Sequence, residues 1–219
     1  SIVMDGAKSV TAVFEYDPPW PLDTITEVAD VMNPITGRTW MDRNLGASRA
    51  ATSSTDSEAY GDLYQWGRSA DGHEKRNSST TSTLSNNDLP GHGDFITVSN
   101  LPLDWRSPQN NSLWQGLYGT NNPCSLGYRL PSISEWDSER NSWNISNSNG
   151  AFGSALKLPV AGTRFGITGA IQDTGSVGRY WSSSVSGESA RHLYFDSNFS
   201  PGFTSTRRAS GNSVRCIKD

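Results

Sequence analysis

RLPSISEW (129–136) contains the clearest helix start in the chain. Ser132 can accept a hydrogen bond from the backbone three residues on, Glu135 stands where a capping-box carboxylate reaches back, and Trp136 opens the face to be buried. Downstream of it, LKLPVAGTR (156–164), GRYWSSS (178–184), ARHLYFDS (190–197) and NSVRCIKD (212–219) read as short strands separated by Gly-rich turns. Upstream, EVADVMNPITGRTWMDRNLG (27–46) reads as two strands around an Asn-Pro…Thr-Gly turn, with Val28, Val31 and Trp40 as core candidates. SEAYGDLYQWG (57–67) carries a short helical pattern that clusters Tyr60, Leu63, Tyr64 and Trp66. The fold class that follows is α+β: short antiparallel strands, few helices and high loop content.

Composition agrees. Hydrophobic residues are 34% of the 219, charged residues only 18%, and 33 Ser and 16 Asn fill the difference. Such a chain buries one core and leaves much solvated loop. Its 22 aromatics (8 Trp, 7 Tyr, 7 Phe) exclude persistent disorder. A net charge of −4 argues against a basic nucleic-acid surface, so no nucleic-acid partner is expected. No apolar run approaches the roughly 18 residues of a membrane helix, so no membrane span is expected.

Three segments organise the chain. Residues 1–16 (SIVMDGAKSVTAVFEY) read as a hairpin around Asp5-Gly6, and the string resembles the closing strands of β-repeats in internalin-type bacterial surface proteins. Residues 17–27, opening on DPPWP, read as a Pro-rich linker, and 28–219 as the main domain. With Ser1 in place of an initiator Met, the chain is expected to be a fragment of a longer exported protein, extracellular or on the cell surface. Arg68 to Asn111 is rich in Ser, Thr, Asn, Gly and Pro and reads as a long surface loop region. Two cysteines, Cys124 and Cys216, are buried thiols in a reducing compartment or a disulfide in an oxidising one.

Enzyme signatures are missing from the sequence: there is no G-x-S-x-G, Walker A loop, H-E-x-x-H or dinucleotide fingerprint. His73 in DGHE (71–74) and His92 in GHGD (91–94) each neighbour a carboxylate, but they read as solvated loop residues rather than a metal site. No catalytic residues, metal ligands or cofactor are therefore expected. The informative stretch is ARHLYFDS. By strand parity Leu193 and Phe195 share the core face, and His192, Tyr194 and Asp196 share the other. In the following NFSPGFTSTRR (198–208), Phe199 and Phe203 sit in a Pro-Gly loop without periodicity to bury them. Aromatics among Ser, Thr and Arg supply rigid apolar area with adaptable polar groups, which suits a binding loop.

GRTWMDRNLGASRAAT (37–52), AYGDLYQWGR (59–68), NPCSLGYRLPSISEW (122–136), GRYWSSS (178–184) and NSVRC (212–216), taken together, resemble the Fibrobacter succinogenes major paralogous domain, widespread in Bacteroidetes-type surface proteins. That family is similar to the C-type lectin-like fold in its formylglycine-generating-enzyme subtype, whose Arg-Leu-Pro…Glu-Trp string RLPSISEW resembles. The resemblance implies a compact domain with neighbouring termini, a long irregular region and a Cys124–Cys216 disulfide. It does not imply enzyme activity, because the redox cysteine pair those enzymes need is missing. Nor does it imply calcium-dependent sugar binding, because SPQN (107–110) and NNPC (121–124) lack the carboxylates.

Members of this family can be targets of diversity-generating retroelements, which rewrite adenine-containing codons, largely those of Asn, in a C-terminal cassette. The resemblance therefore implies a variable binding surface over about residues 188–212. Its candidate ligand-binding residues are His192, Tyr194, Asp196, Asn198, Phe199, Phe203, Ser205 and Arg207, with Leu193, Phe195, Arg208 and Gly211 as fixed scaffold. Asn198 and Asn212 would be unmodified survivors. The expected function is a non-enzymatic, surface-displayed module for a protein or cell-surface ligand. Two readings compete with it. One is a carbohydrate-binding domain with Trp105, Trp114 and Tyr118 as a stacking platform. The other is a structural spacer in an adhesin.

Overall fold

The computed structural model describes residues 26–198 and 202–219. The expected hairpin at 1–16, most of the expected linker at 17–27, and Phe199 lie outside the described residues. Among the described residues are thirteen strands and two α-helices: β1 (Asp30–Met32), β2 (Thr39–Met41), β3 (Tyr64–Gln65), β4 (Thr80–Thr81), β5 (Phe95–Ile96), β6 (Tyr128–Arg129), α1 (Ile133–Asn141), α2 (Ser148–Gly153), β7 (Thr163–Arg164), β8 (Ile171–Gln172), β9 (Gly178–Ser186), β10 (Ser189–Phe195), β11 (Gly202–Arg207), β12 (Gly211–Asn212) and β13 (Ile217–Lys218). Strands and loops dominate, as the composition implies.

α1 starts where its capping box sits. The Ser132 hydroxyl accepts from the Glu135 N–H at 3.3 Å, and the Glu135 carboxylate accepts from the Ser132 N–H at 2.8 Å. Trp136 on its buried face lies 4.8 Å from Trp40 and 5.8 Å from Tyr180, ring centre to ring centre. In one sheet β13 pairs with β2 and β6, and β1 pairs with β2, so the two ends of the domain lie side by side. A second sheet, in the order β11-β10-β9, is antiparallel and holds the longest strands.

Two buried clusters form the core. One gathers Met41, Leu45, Tyr64, Trp66, Trp105, Trp114, Trp181 and Ala190 among others. The second gathers Trp40, Trp136, Trp143, Leu158, Tyr180, Leu193 and Phe195. Neighbours on β9 and β10 point to opposite clusters, so this pair of strands runs between two apolar masses and is covered on both faces. Arg215 is buried, and no carboxylate among the described residues lies within ion-pair distance of it. Its guanidinium donates to Asn44 Oδ1 at 2.9 and 3.1 Å and to the carbonyls of Met41 and Leu156. Burial lowers its pKa to about 10, so it stays charged at neutral pH.

Several expectations change. Val28 is 44% exposed and contributes little to the core. The 57–67 pattern yields only a single 3-10 turn, Ser57–Ala59, although Tyr60, Leu63, Tyr64 and Trp66 are all buried. Within 156–164 only Thr163–Arg164 is strand. The Arg68–Asn111 stretch is not surface loop throughout: it supplies buried Phe95, Ile96, Val98, Leu103 and Trp105, and β4 and β5 pair in parallel. Its few hydrophobics are spaced without a period, which hides a core contribution from pattern reading.

Cys124 and Cys216 form a disulfide across a sequence separation of 92 residues. A cross-link closing a loop of that size contributes about 4 kcal/mol by restricting the unfolded chain. Reduction, or the double substitution C124S/C216S, is therefore expected to lower the melting temperature by roughly 10 °C for a domain of this size, measured by differential scanning calorimetry with and without reductant.

Candidate functional site

The seven described candidate ligand-binding residues are spread along one strand pair, and not all of them face solvent. β10 and β11 run antiparallel with Tyr194 opposite Gly202 and Ser189 opposite Arg207. Tyr194, Asp196 and Asn198 therefore lie at one end of the pair. Ser205 and Arg207 lie toward the other, about 10–16 Å away at the rise of an extended strand.

At the first end, the Tyr194 hydroxyl donates to Asp196 Oδ2 at 2.7 Å, and Asp196 Oδ1 accepts from the Asn198 N–H at 2.7 Å. The Arg179 guanidinium lies 5.3 Å from the centre of the Tyr194 ring. The Asp196 carbonyl accepts from the Ser148 N–H at the start of α2. The bond to Asp196 raises the Tyr194 pKa above the ordinary tyrosine value, so its hydroxyl remains a donor at neutral pH.

His192 departs from expectation. It is 1% exposed, with its ring edge-on to Trp181 at 5.7 Å and Nε2 sharing a 2.8 Å hydrogen bond with the Thr204 hydroxyl. Burial, helped by the Arg179 charge, pushes its pKa down to about 3. Parity correctly separates it from Leu193, but the face it points to is also core. Phe203 is likewise not a free anchor. It is half-buried against the second cluster, and the Arg140 guanidinium sits 4.9 Å from its ring centre. Leu193, Phe195, Arg208 and Gly211 are buried, as the scaffold reading requires. Asn212 is buried too, accepting from the Thr163 hydroxyl at 2.8 Å, and so faces no ligand.

At the second end Ser205 and Arg207 are exposed and line an open groove of about 260 Å³ with Ser189, Thr206, Phe165 and Ile167. Phe165 and Ile167 are 39% and 40% exposed. They sit in the Gly-rich turn RFGITG between β7 and β8, which has the same signature that singled out Phe199 and Phe203: apolar residues in a turn with no period to bury them. Applied to 164–169, that signal would have found this wall. Behind the groove, Arg208 is buried 4.7 Å from the Trp66 ring centre and donates to Asn110, Asn111 and Gly187, fixing the surrounding loops.

The other candidates resolve into packing. Trp105 and Trp114 are core, leaving only Tyr118, at 90% exposure, of the expected sugar platform. Asp71, His73 and Glu74, expected to be solvated, are buried with ligating atoms within 4.8 Å of one another. Each already has a partner within the chain, however, and Glu74 Oε2 accepts from the Gly72 N–H at 2.9 Å. His73 Nδ1 meets Asp71 Oδ1 at 2.6 Å, its Nε2 accepts from the Gln65 N–H at 3.0 Å, and Asp71 Oδ2 binds Arg68 at 2.7 Å. The Gln65 contact makes Nε2 the unprotonated nitrogen, leaving Nδ1–H to donate to Asp71. This network fastens the 68–96 segment from inside. Burial pushes Glu74 up to about 7 and His73 down to about 4. His92 is half-buried in its turn, with Nδ1 accepting from the Asp94 N–H.

No helix among the described residues is long and apolar enough to cross a membrane. No family model matches the chain, and no curated protein or solved structure matches it.

These shifts set opposite pH slopes. His192 is neutral in the native state, so its contribution is complete above the unfolded value near 6.5 and is lost as pH falls toward 3. Glu74 is protonated in the native state up to about 7, so its contribution is present below 4.5 and is lost as pH rises to 7. Urea titrations from pH 3 to 8 are expected to show H192Q losing less stability than the native chain on acidification. E74Q is expected to gain on it between pH 4.5 and 7, by up to about 3 kcal/mol.

Proposed function

We propose that this chain is a non-enzymatic, surface-displayed binding module of the C-type lectin-like type, with a variable ligand surface over residues 188–212 written by a retroelement. The observation that carries this reading is the division of labour in β10 and β11. Leu193 and Phe195 are buried, while Ser205 and Arg207 are open to solvent at a groove walled by two exposed apolar side chains. A surface of this kind can change its contact residues without touching the core beneath. Neighbouring ends of the domain and the Cys124–Cys216 bridge also suit a module carried on an exported protein.

The contact set becomes Tyr194, Asp196, Asn198, Ser205 and Arg207, extended by Ser189, Phe165 and Ile167. His192 and Phe203 move to its support. A broad, shallow surface suits a macromolecular partner better than a small molecule.

Two measurements test this. Sequencing the locus is expected to find a near-copy of codons 178–216 that differs from the gene at adenines, with the differing codons concentrated on exposed positions. A locus without such a repeat removes the retroelement. In parallel, a display library randomised at Tyr194, Ser205 and Arg207 is expected to keep folding, with most members within about 0.5 kcal/mol of the parent. Leu193→Ala is expected to cost about 2–5 kcal/mol. A library that largely unfolds would show that these positions serve stability rather than binding.

A further inference from the structure

β11 is the outermost strand of its sheet and, among the described residues, pairs only with β10. Edge strands are normally protected by charged side chains, a proline, a bulge or short length. Apart from Arg207 at its end, β11 carries none of these. It runs six residues, Gly202–Arg207, its register with β10 is unbroken from Tyr194–Gly202 to Ser189–Arg207, and Thr204 and Ser205 are exposed. Thr204 and Thr206 are β-branched and suit a strand that accepts a further partner.

The chain carries −4 overall, yet Arg191 lies directly across from Ser205, and Arg207 stands two residues further along on the same parity. Arg207 is exposed and Arg191 half-buried, and no carboxylate among the described residues lies within ion-pair distance of either. At the Arg207 end the strand runs into the groove lined by Phe165 and Ile167.

We infer that β11 receives an extended acidic segment of a partner protein by strand addition. The partner backbone pairs with the edge of β11 that faces away from β10. Its alternate side chains present carboxylates to Arg191 and Arg207, and an apolar residue at its end enters the Phe165–Ile167 groove. The inference rests on the reading of 188–212 as the binding surface and deepens it by naming the mode and the partner's chemistry.

The test is to pan a phage library of random linear peptides against the full chain. Recovered sequences are expected to alternate Asp or Glu with β-branched residues. A synthetic peptide of that sequence should slow amide exchange across 202–207 and bind about tenfold more weakly to R191E/R207E. A Lys-for-acid version of the peptide should regain affinity for that variant. R191Q/R207Q, which adds no new charge, should give an intermediate loss, and unchanged melting curves show that both variants fold. Absence of enrichment, enrichment without acidic residues, or binding without protection of β11 overturns the inference. Binders whose protection maps to Tyr194–Asn198 overturn strand addition and leave the general reading standing. Binders that map outside both 188–212 and the groove overturn both.

Discussion

The rest of the structure depends on a lacing of tryptophan indoles to backbone carbonyls. Trp181 donates to the Tyr64 carbonyl at 2.7 Å, and Trp66 donates back to the Ser182 carbonyl at 2.9 Å. Trp136 and Trp105 extend the lacing to the carbonyls of Trp181 and Trp66. Ten of the thirteen described strands run only two or three residues, so many backbone groups find no ladder partner, and a buried unpaired carbonyl costs about 1–3 kcal/mol. The indole resolves this because it brings a large apolar area and one N–H into the same place. Segment 64–66 and strand β9 are thus held together without belonging to the same sheet.

That lacing fixes β9, and β9 fixes the surface. Trp181 and Tyr180 point to opposite clusters, so β9 and β10 are clamped between them, and in this sheet β11 and the strand ends are the more open to solvent. Arg208 and Arg215 complete the support. Each is a buried guanidinium held largely by carbonyls and amides, Arg208 behind the groove and Arg215 between the 41–44 turn and the 156 segment. Truncating either would strand several acceptors at once.

The elements most legible in the sequence were those determined by local chemistry. The capping box at Ser132 and Glu135, the turn between β1 and β2, and the burial of Leu193 and Phe195 all follow from spacing alone. His192 shows where such reading stops. An alternating strand reports which side chains face the same way, but not whether one face or two will be covered. A His, a Tyr and an Asp on one parity looked like a solvent face, yet Trp181 covers the His and leaves the other two at the margin. The Arg68–Asn111 stretch fails for a related reason. Phe95, Ile96 and Trp105 enter the core from irregular backbone, where no period exists to betray them.

By itself the sequence determined the α+β character, the start of a helix at Ser132 and the parity of β10, because these depend on contacts a few residues apart. Which cysteine state holds, which loops enter the core, and which candidate residues meet at the groove were decided only in three dimensions. Each joins positions tens of residues apart: Cys124 with Cys216, Gln65 with Ala209, and Phe165 with Arg207. Packing two clusters around one strand pair is a property of the whole chain, and no local pattern records it.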